Sequence, residues 1–70
     1  MGPNQPEMLN ELVRLVQNRT HRRIRDLDIE MGDGKVTLRG RADSYLLKQL
    51  AQHGILDVMP RLRLVNAIEV

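Results

Sequence analysis

Seventy residues with a formal net charge of +2 make one domain and leave no room for a second. The chain has no cysteine, and its two histidines are far apart in sequence, so neither disulfides nor a zinc cluster is predicted to support the fold. No apolar run approaches the ~20 residues that a membrane span needs. Aliphatic packing must therefore stabilise the domain.

The first predicted element is a helix over residues 6–19, preceded by a disordered tail over residues 1–5. Pro6 and Glu7 are typical of a helix start. The apolar residues that follow recur at helical spacing and form one stripe: Met8, Leu9, Leu12, Val13, Leu15 and Val16. We expect the helix to bury this stripe.

Two strands, over residues 24–31 and 35–42, are predicted to form a hairpin. Apolar residues alternate with charged or polar ones along both segments. Asp33 and Gly34 between them are a strong signal for a type I′ turn, which needs a positive φ at both central positions. Asp33, Gly34 and Gly40 are therefore predicted to be structural residues of the hairpin and its turn.

The two-residue turn also predicts the register of the hairpin. It places Arg39 opposite Asp28 and Arg41 opposite Asp26 on the outer face. Both are pairs of opposite charge, and such cross-strand pairs stabilise an antiparallel ladder.

A second helix is predicted over residues 44–58, with Ser44 as its cap and Pro60 as its stop. Gly54 within it suggests a close approach between helix and sheet. A last strand over residues 61–70 alternates again. The apolar stripe of the second helix comprises Leu46, Leu47, Leu50, Ala51, Gly54, Ile55 and Val58.

The order helix, strand, strand, helix, strand predicts the α+β class. The economical architecture is a single small αββαβ domain whose three-stranded sheet carries both helices on one face. Asn66 lies in the inward row of the last strand, where we expect its amide to satisfy nearby backbone groups.

Two segments resemble the BON family, named for bacterial osmotic-shock and nodulation proteins. Residues 33–42 are similar to its pattern D-G-x-V-x-L-x-G-x-V, and residues 64–70 are similar to V-x-N-x-L-x-V. Ala51 stands where the family's helix carries a small residue. Pro60-Arg61 departs from a frequent Gly-Val, and Ala42 replaces a larger aliphatic residue.

The resemblance implies an αββαβ fold and no enzymatic activity, catalytic residues or cofactor. It also implies an attachment module that contacts phospholipid surfaces or partner proteins. The N-terminus lacks the basic and apolar regions of a signal peptide. The expected location is the cytoplasm if the chain is complete, and the bacterial envelope or periplasm if it is a domain of an exported protein.

Other chemistry is weakly supported by the residues. Gly32-Asp33-Gly34-Lys35 lacks the spacing of a phosphate loop, and the acidic run from Asp26 has Met31 where a calcium loop needs glycine. We therefore predict no metal site. The single aromatic residue offers no platform for stacking bases, so nucleic acid is not the expected partner. No catalytic pair stands out, and no small-molecule substrate is predicted.

The candidate binding residues are basic or exposed apolar side chains. A dense positive run extends from residue 19 to residue 25, and a further basic pair lies near residue 62. Such residues predict contact with an anionic phospholipid surface. The alternative is a protein partner or self-association through the sheet edge or the outer face of the second helix. The candidates are Arg19, Arg22, Arg23, Tyr45, Leu56, Arg61 and Arg63.

Overall fold

The computed structural model describes residues 5–70, with side chains from Glu7 onward. Its elements in chain order are α1 (Gln5–Arg19), β1 (Arg25–Gly32), β2 (Lys35–Arg41), α2 (Tyr45–Leu56) and β3 (Leu64–Glu69). The predicted order is confirmed, and element boundaries agree to within three residues. The predicted tail lies outside the described residues, except that Gln5 already belongs to α1.

The three strands form a mixed sheet with β2 at its centre. β1 pairs with β2 in antiparallel fashion, whereas β3 pairs with it in parallel after the crossover through α2. Both helices cover the same face, as the α+β prediction requires. The core between them is almost wholly aliphatic: Leu12, Val16, Ile24, Ile29, Val36, Leu38, Ala42, Leu47, Ala51, Ile55 and Ile68.

The hairpin turn is the predicted type I′ turn. Asp33 and Gly34 have φ values of 55° and 73°, as that turn requires. The predicted register is confirmed from the turn to Asp28, which faces Arg39. The Arg39 guanidinium donates diagonally to Glu30, with its Nε 3.4 Å from Oε1.

Beyond that point the predicted register is wrong. The pairing shifts between Arg25 and Asp28, so that Arg41 faces Arg25 and not Asp26. Asp26 has a φ of 54°, a conformation that few residues other than glycine adopt. The shift is a β-bulge, and it turns Ile24 into the core.

Gly40 lies within β2, beside the bulge in the neighbouring strand β1, and not in the turn. Its φ is 153°. A Cβ at this position would lie 2.9 Å from the backbone oxygen of Arg25 and 3.0 Å from a methyl group of Ile24. Only glycine fits both the conformation and the space.

The end of α1 is closed by a Schellman motif in which His21 takes the left-handed position, with a φ of 56°. The Arg22 amide donates to the carbonyl of Gln17 at 2.8 Å. The buried Thr20 hydroxyl donates to the carbonyl of Val16, also at 2.8 Å. The loop that follows carries the densest basic segment.

The second helix begins as predicted, because the Ser44 hydroxyl accepts a hydrogen bond from the Leu47 amide at 3.2 Å. The prediction that Gly54 lets α2 approach the sheet closely is wrong, because the nearest atoms belong to α1. A Cβ on Gly54 would lie 2.9 Å from the carbonyl oxygen of Leu15 and 3.1 Å from the Cβ of Arg19. The glycine therefore permits close contact between the two helices, not between helix and sheet.

The predicted apolar stripe of α2 is correct in its middle and wrong at its ends. Leu46 and Val58 are 66% and 57% exposed. Leu46 lies in the first turn of the helix, and Val58 follows the last helical residue, Leu56.

Asn66 joins β3 to α2, as expected of a structural amide. Its Nδ2 donates to the carbonyl of Lys48 at 2.9 Å and to Oε1 of Gln52 at 3.3 Å. Its Oδ1 accepts from the Ile68 amide at 3.3 Å. Both ends of the side chain are thus used within the fold.

Candidate functional site

The sheet has two ends that differ in their surroundings. At one end β2 and β3 finish, and we call this the arginine end, defined by Arg22, Arg23, Arg25 and Arg41. The other is the hairpin end, defined by the Asp33-Gly34 turn with Lys35, Arg61 and Arg63. The seven residues of β2 separate the two ends by about 20 Å.

The predicted binding residues do not form one patch. Arg23 contacts Asp43 beyond the end of β2, with Nη2 and Oδ2 4.0 Å apart, and Arg22 adjoins it in the loop. Arg63 lies at the opposite end, where its carbonyl accepts from the Val36 amide at 2.8 Å. Arg61 lies two residues before it.

Arg19 belongs to neither group. Its guanidinium forms an ion pair with Asp57 just after α2. Because this pair joins α1 to the end of α2, we assign Arg19 to the packing of the helices.

The arginine end has four arginines against three carboxylates, Asp26, Asp43 and Glu69, so its excess of positive charge is small. Asp43 holds Arg25 through a hydrogen bond of 2.8 Å from Nη2 to Oδ1, besides its weaker contact with Arg23. Arg22 and Arg41 make no ion pair within 4.0 Å in the described part of the chain. Both are exposed, so two arginines of this end remain available to an anion.

Two exposed apolar residues stand at the same end. Tyr45 and Leu46 begin α2 and are 64% and 66% exposed. Tyr45 is exposed as predicted, whereas Leu56 is half-buried at the far end of the helix. The sequence reasoning missed Leu46, because helical spacing alone assigned it to the core stripe. Its position in the first turn of α2 was the signal that could have distinguished it from the core residues.

The arginine end also contains an open cavity of about 390 Å³. It is lined by Arg25, Arg41, Ala42, Glu69 and Val70. A second cavity of about 320 Å³ lies at the hairpin end, lined by residues 31–36 and Leu62. The first is lined by two arginines and one carboxylate, and the second mainly by the turn and apolar groups.

His21 and His53, the two histidines, are exposed. Within residues 5–70, no three histidine, cysteine or acidic side chains are grouped so that they could hold a metal ion. Neither of the two described helices is long and apolar enough to cross a membrane.

Comparisons of the chain with protein-family models, with curated proteins and with solved structures find no match. The BON resemblance therefore stays a prediction from the sequence motifs. The functional argument rests on the arginine end itself.

Proposed function

We propose that the domain is a non-catalytic binding module that attaches to an anionic phospholipid surface through its arginine end. The observation that carries the proposal is the presence of two exposed apolar residues, Tyr45 and Leu46, beside four arginines. Cations attract the headgroups, and the apolar side chains enter the interface between headgroups and acyl chains. The similarity of the hairpin motif to BON domains favours the same function.

The expected attachment is weak and depends on salt. A basic residue near an anionic leaflet contributes about 1 kcal/mol, and Asp43 reduces the contribution of Arg23 and Arg25. Tyr45 suits the interface because its ring is apolar and its hydroxyl is polar. That hydroxyl accepts a hydrogen bond from Gln49 at 2.8 Å, which orients the ring along the outer side of the helix.

Vesicle co-sedimentation tests this proposal directly. We expect the protein to sediment with vesicles that contain phosphatidylglycerol, to stay free with pure phosphatidylcholine, and to dissociate as salt is raised. Reversal of charge in the double variant Arg22→Glu/Arg23→Glu should abolish sedimentation. If the unmodified protein sediments with no vesicle even at low salt, the proposal is wrong.

The hairpin end offers a matched control. The double variant Arg61→Glu/Arg63→Glu changes the net charge by the same amount about 20 Å from the arginine end. It should retain most of the binding. Equal losses in both double variants would mean that net charge alone drives attachment and that the arginine end has no special role.

The apolar contribution needs a separate variant. Tyr45→Ser/Leu46→Ser should weaken vesicle binding at low and at physiological salt alike, because it removes an uncharged contact. An unchanged affinity would show that the two side chains stay outside the bilayer, and would reduce the proposal to electrostatic adsorption.

A second candidate function is self-association through the free edge of β3. This strand has no bulge, proline or lysine, the devices that commonly protect an edge strand. Val65 on its outer face is 42% exposed. Light scattering over a wide range of protein concentration tests the idea: a rising mass supports pairing, and a constant monomer mass excludes it.

A further inference from the structure

The bulge at the arginine end replaces a favourable pair of charges with an unfavourable one. A regular ladder would have set Arg41 opposite Asp26, yet the shifted register sets it opposite Arg25. Like charges directly opposite each other destabilise a sheet. The bulge also holds Asp26 at a positive φ. Two unfavourable features at one place in a fold are commonly found at functional sites.

The register brings the two guanidinium groups within reach of one ligand. Directly opposite residues in an antiparallel pair have Cα atoms about 4.5–5.5 Å apart. Arg25 and Arg41 both line the cavity of about 390 Å³. Both side chains are exposed, so both guanidinium groups are accessible to a ligand from solvent.

We propose that Arg25 and Arg41 together form a binding site for a phosphomonoester group. Each guanidinium presents a planar fork of donors that matches two phosphate oxygens. A phosphomonoester has three terminal oxygens, enough for two forks that share one oxygen. A phosphodiester has only two, and a carboxylate likewise has two. The paired forks therefore favour the monoester over both.

Two carboxylates keep the site partly neutral in the absence of a ligand. Asp43 holds Arg25 at 2.8 Å, and Glu69 lines the cavity and faces Arg41 across β2 and β3. Asp43 therefore competes with a phosphate for Arg25, because it occupies one of the five N–H donors and lowers the local positive charge. This competition predicts that removing the charge of Asp43 increases affinity.

The site would give the proposed membrane attachment a specific lipid headgroup. The inference rests on the proposed function where the phosphate belongs to a lipid such as phosphatidic acid. The same chemistry would also hold a small soluble phosphomonoester. The chemical group is common to both, and the experiment separates the two sources.

The first arm uses the whole chain and a soluble probe. Nuclear magnetic resonance titration with glycerol 3-phosphate, at constant ionic strength, should give saturable shifts at Arg25 and Arg41. Dimethyl phosphate, the diester control, should bind at least severalfold more weakly. Arg41→Gln should lower affinity for the monoester about tenfold, the loss of one charge-assisted contact. Arg63→Gln should leave it unchanged, and Asp43→Asn should raise it severalfold.

Three results would overturn the site: equal binding of the diester, equal losses in Arg41→Gln and Arg63→Gln, or no gain in Asp43→Asn.

The second arm uses vesicles of phosphatidic acid and of phosphatidylglycerol at matched surface potential. Arg41→Gln should lose the preference for phosphatidic acid. Vesicle binding with no such preference, together with no saturable binding of the soluble monoester, overturns this inference and leaves the proposed function intact. Binding of the soluble monoester without any vesicle binding supports the phosphomonoester site and overturns the proposed function.

Discussion

Replacement of Gly40 by alanine tests the bulged junction of β1 and β2 most sharply. A Cβ at this position would lie 2.9 Å from the Arg25 backbone oxygen and 3.0 Å from Ile24, and the φ of 153° is one that alanine rarely adopts. The conformational strain costs about 1–3 kcal/mol, and the forced displacement of a packed strand costs a similar amount. We expect a loss of about 2–6 kcal/mol from a domain whose total stability is roughly 4–10 kcal/mol.

Two other glycines separate the causes of this loss. Gly34 has a positive φ but open space around it, so Gly34→Ala should cost about 1–2 kcal/mol from conformation alone. Gly32 has open space and an ordinary φ, so Gly32→Ala should change stability by less than about 0.5 kcal/mol. Urea unfolding followed by far-ultraviolet circular dichroism measures all three. If Gly40→Ala costs no more than Gly34→Ala, the close approach at the bulge is absent.

The same unfolding assay checks three further contacts. Gly54→Ala should destabilise the domain although alanine favours helices by about 1 kcal/mol, because its Cβ would press on the α1 backbone at Leu15; a gain in stability would contradict the close helix contact. Asn66→Asp should cost at least as much as Asn66→Ala, about 1–3 kcal/mol, since a carboxylate would face the Lys48 carbonyl; a milder effect of Asp would contradict the amide's role. Ser44→Ala should cost about 1 kcal/mol, and no loss would mean that the cap is unimportant.

The sequence predicted the hairpin well because several local signals agreed there. The Asp33-Gly34 turn, the alternating pattern and the charge pair of Asp28 with Arg39 all specify one register. The order of elements followed from the change between helical and strand periodicity. These are short-range properties, and neighbouring residues determine them.

The bulge was missed although two signals of it were present. Ile24 is apolar but out of phase with Leu27, and a change of phase within a strand is what an inserted residue produces. Gly40 inside the partner strand is a second signal. The opposite charges of Asp26 and Arg41 favoured the regular register, and this signal outweighed the two signals of a bulge. That the left-handed residue would be Asp26 could not be predicted, because the packing of Ile24 into the core selects its conformation.

The location of the candidate site depends on topology, which the basic residues themselves do not reveal. Arg23 belongs to a denser basic run than Arg63, but local sequence does not tell at which end of the sheet each residue lies. Because β2 and β3 are parallel, α2 must begin where β2 ends and must finish where β3 begins. The crossover therefore brings the exposed first turn of α2, with Tyr45 and Leu46, to the end of the sheet that holds Arg41. The other end receives the closing turn of the helix. The other end has one exposed apolar residue of comparable size, Val58, beside Arg61 and Arg63. The arginine end combines more arginines with two adjacent exposed apolar residues, and this makes it the better candidate for attachment.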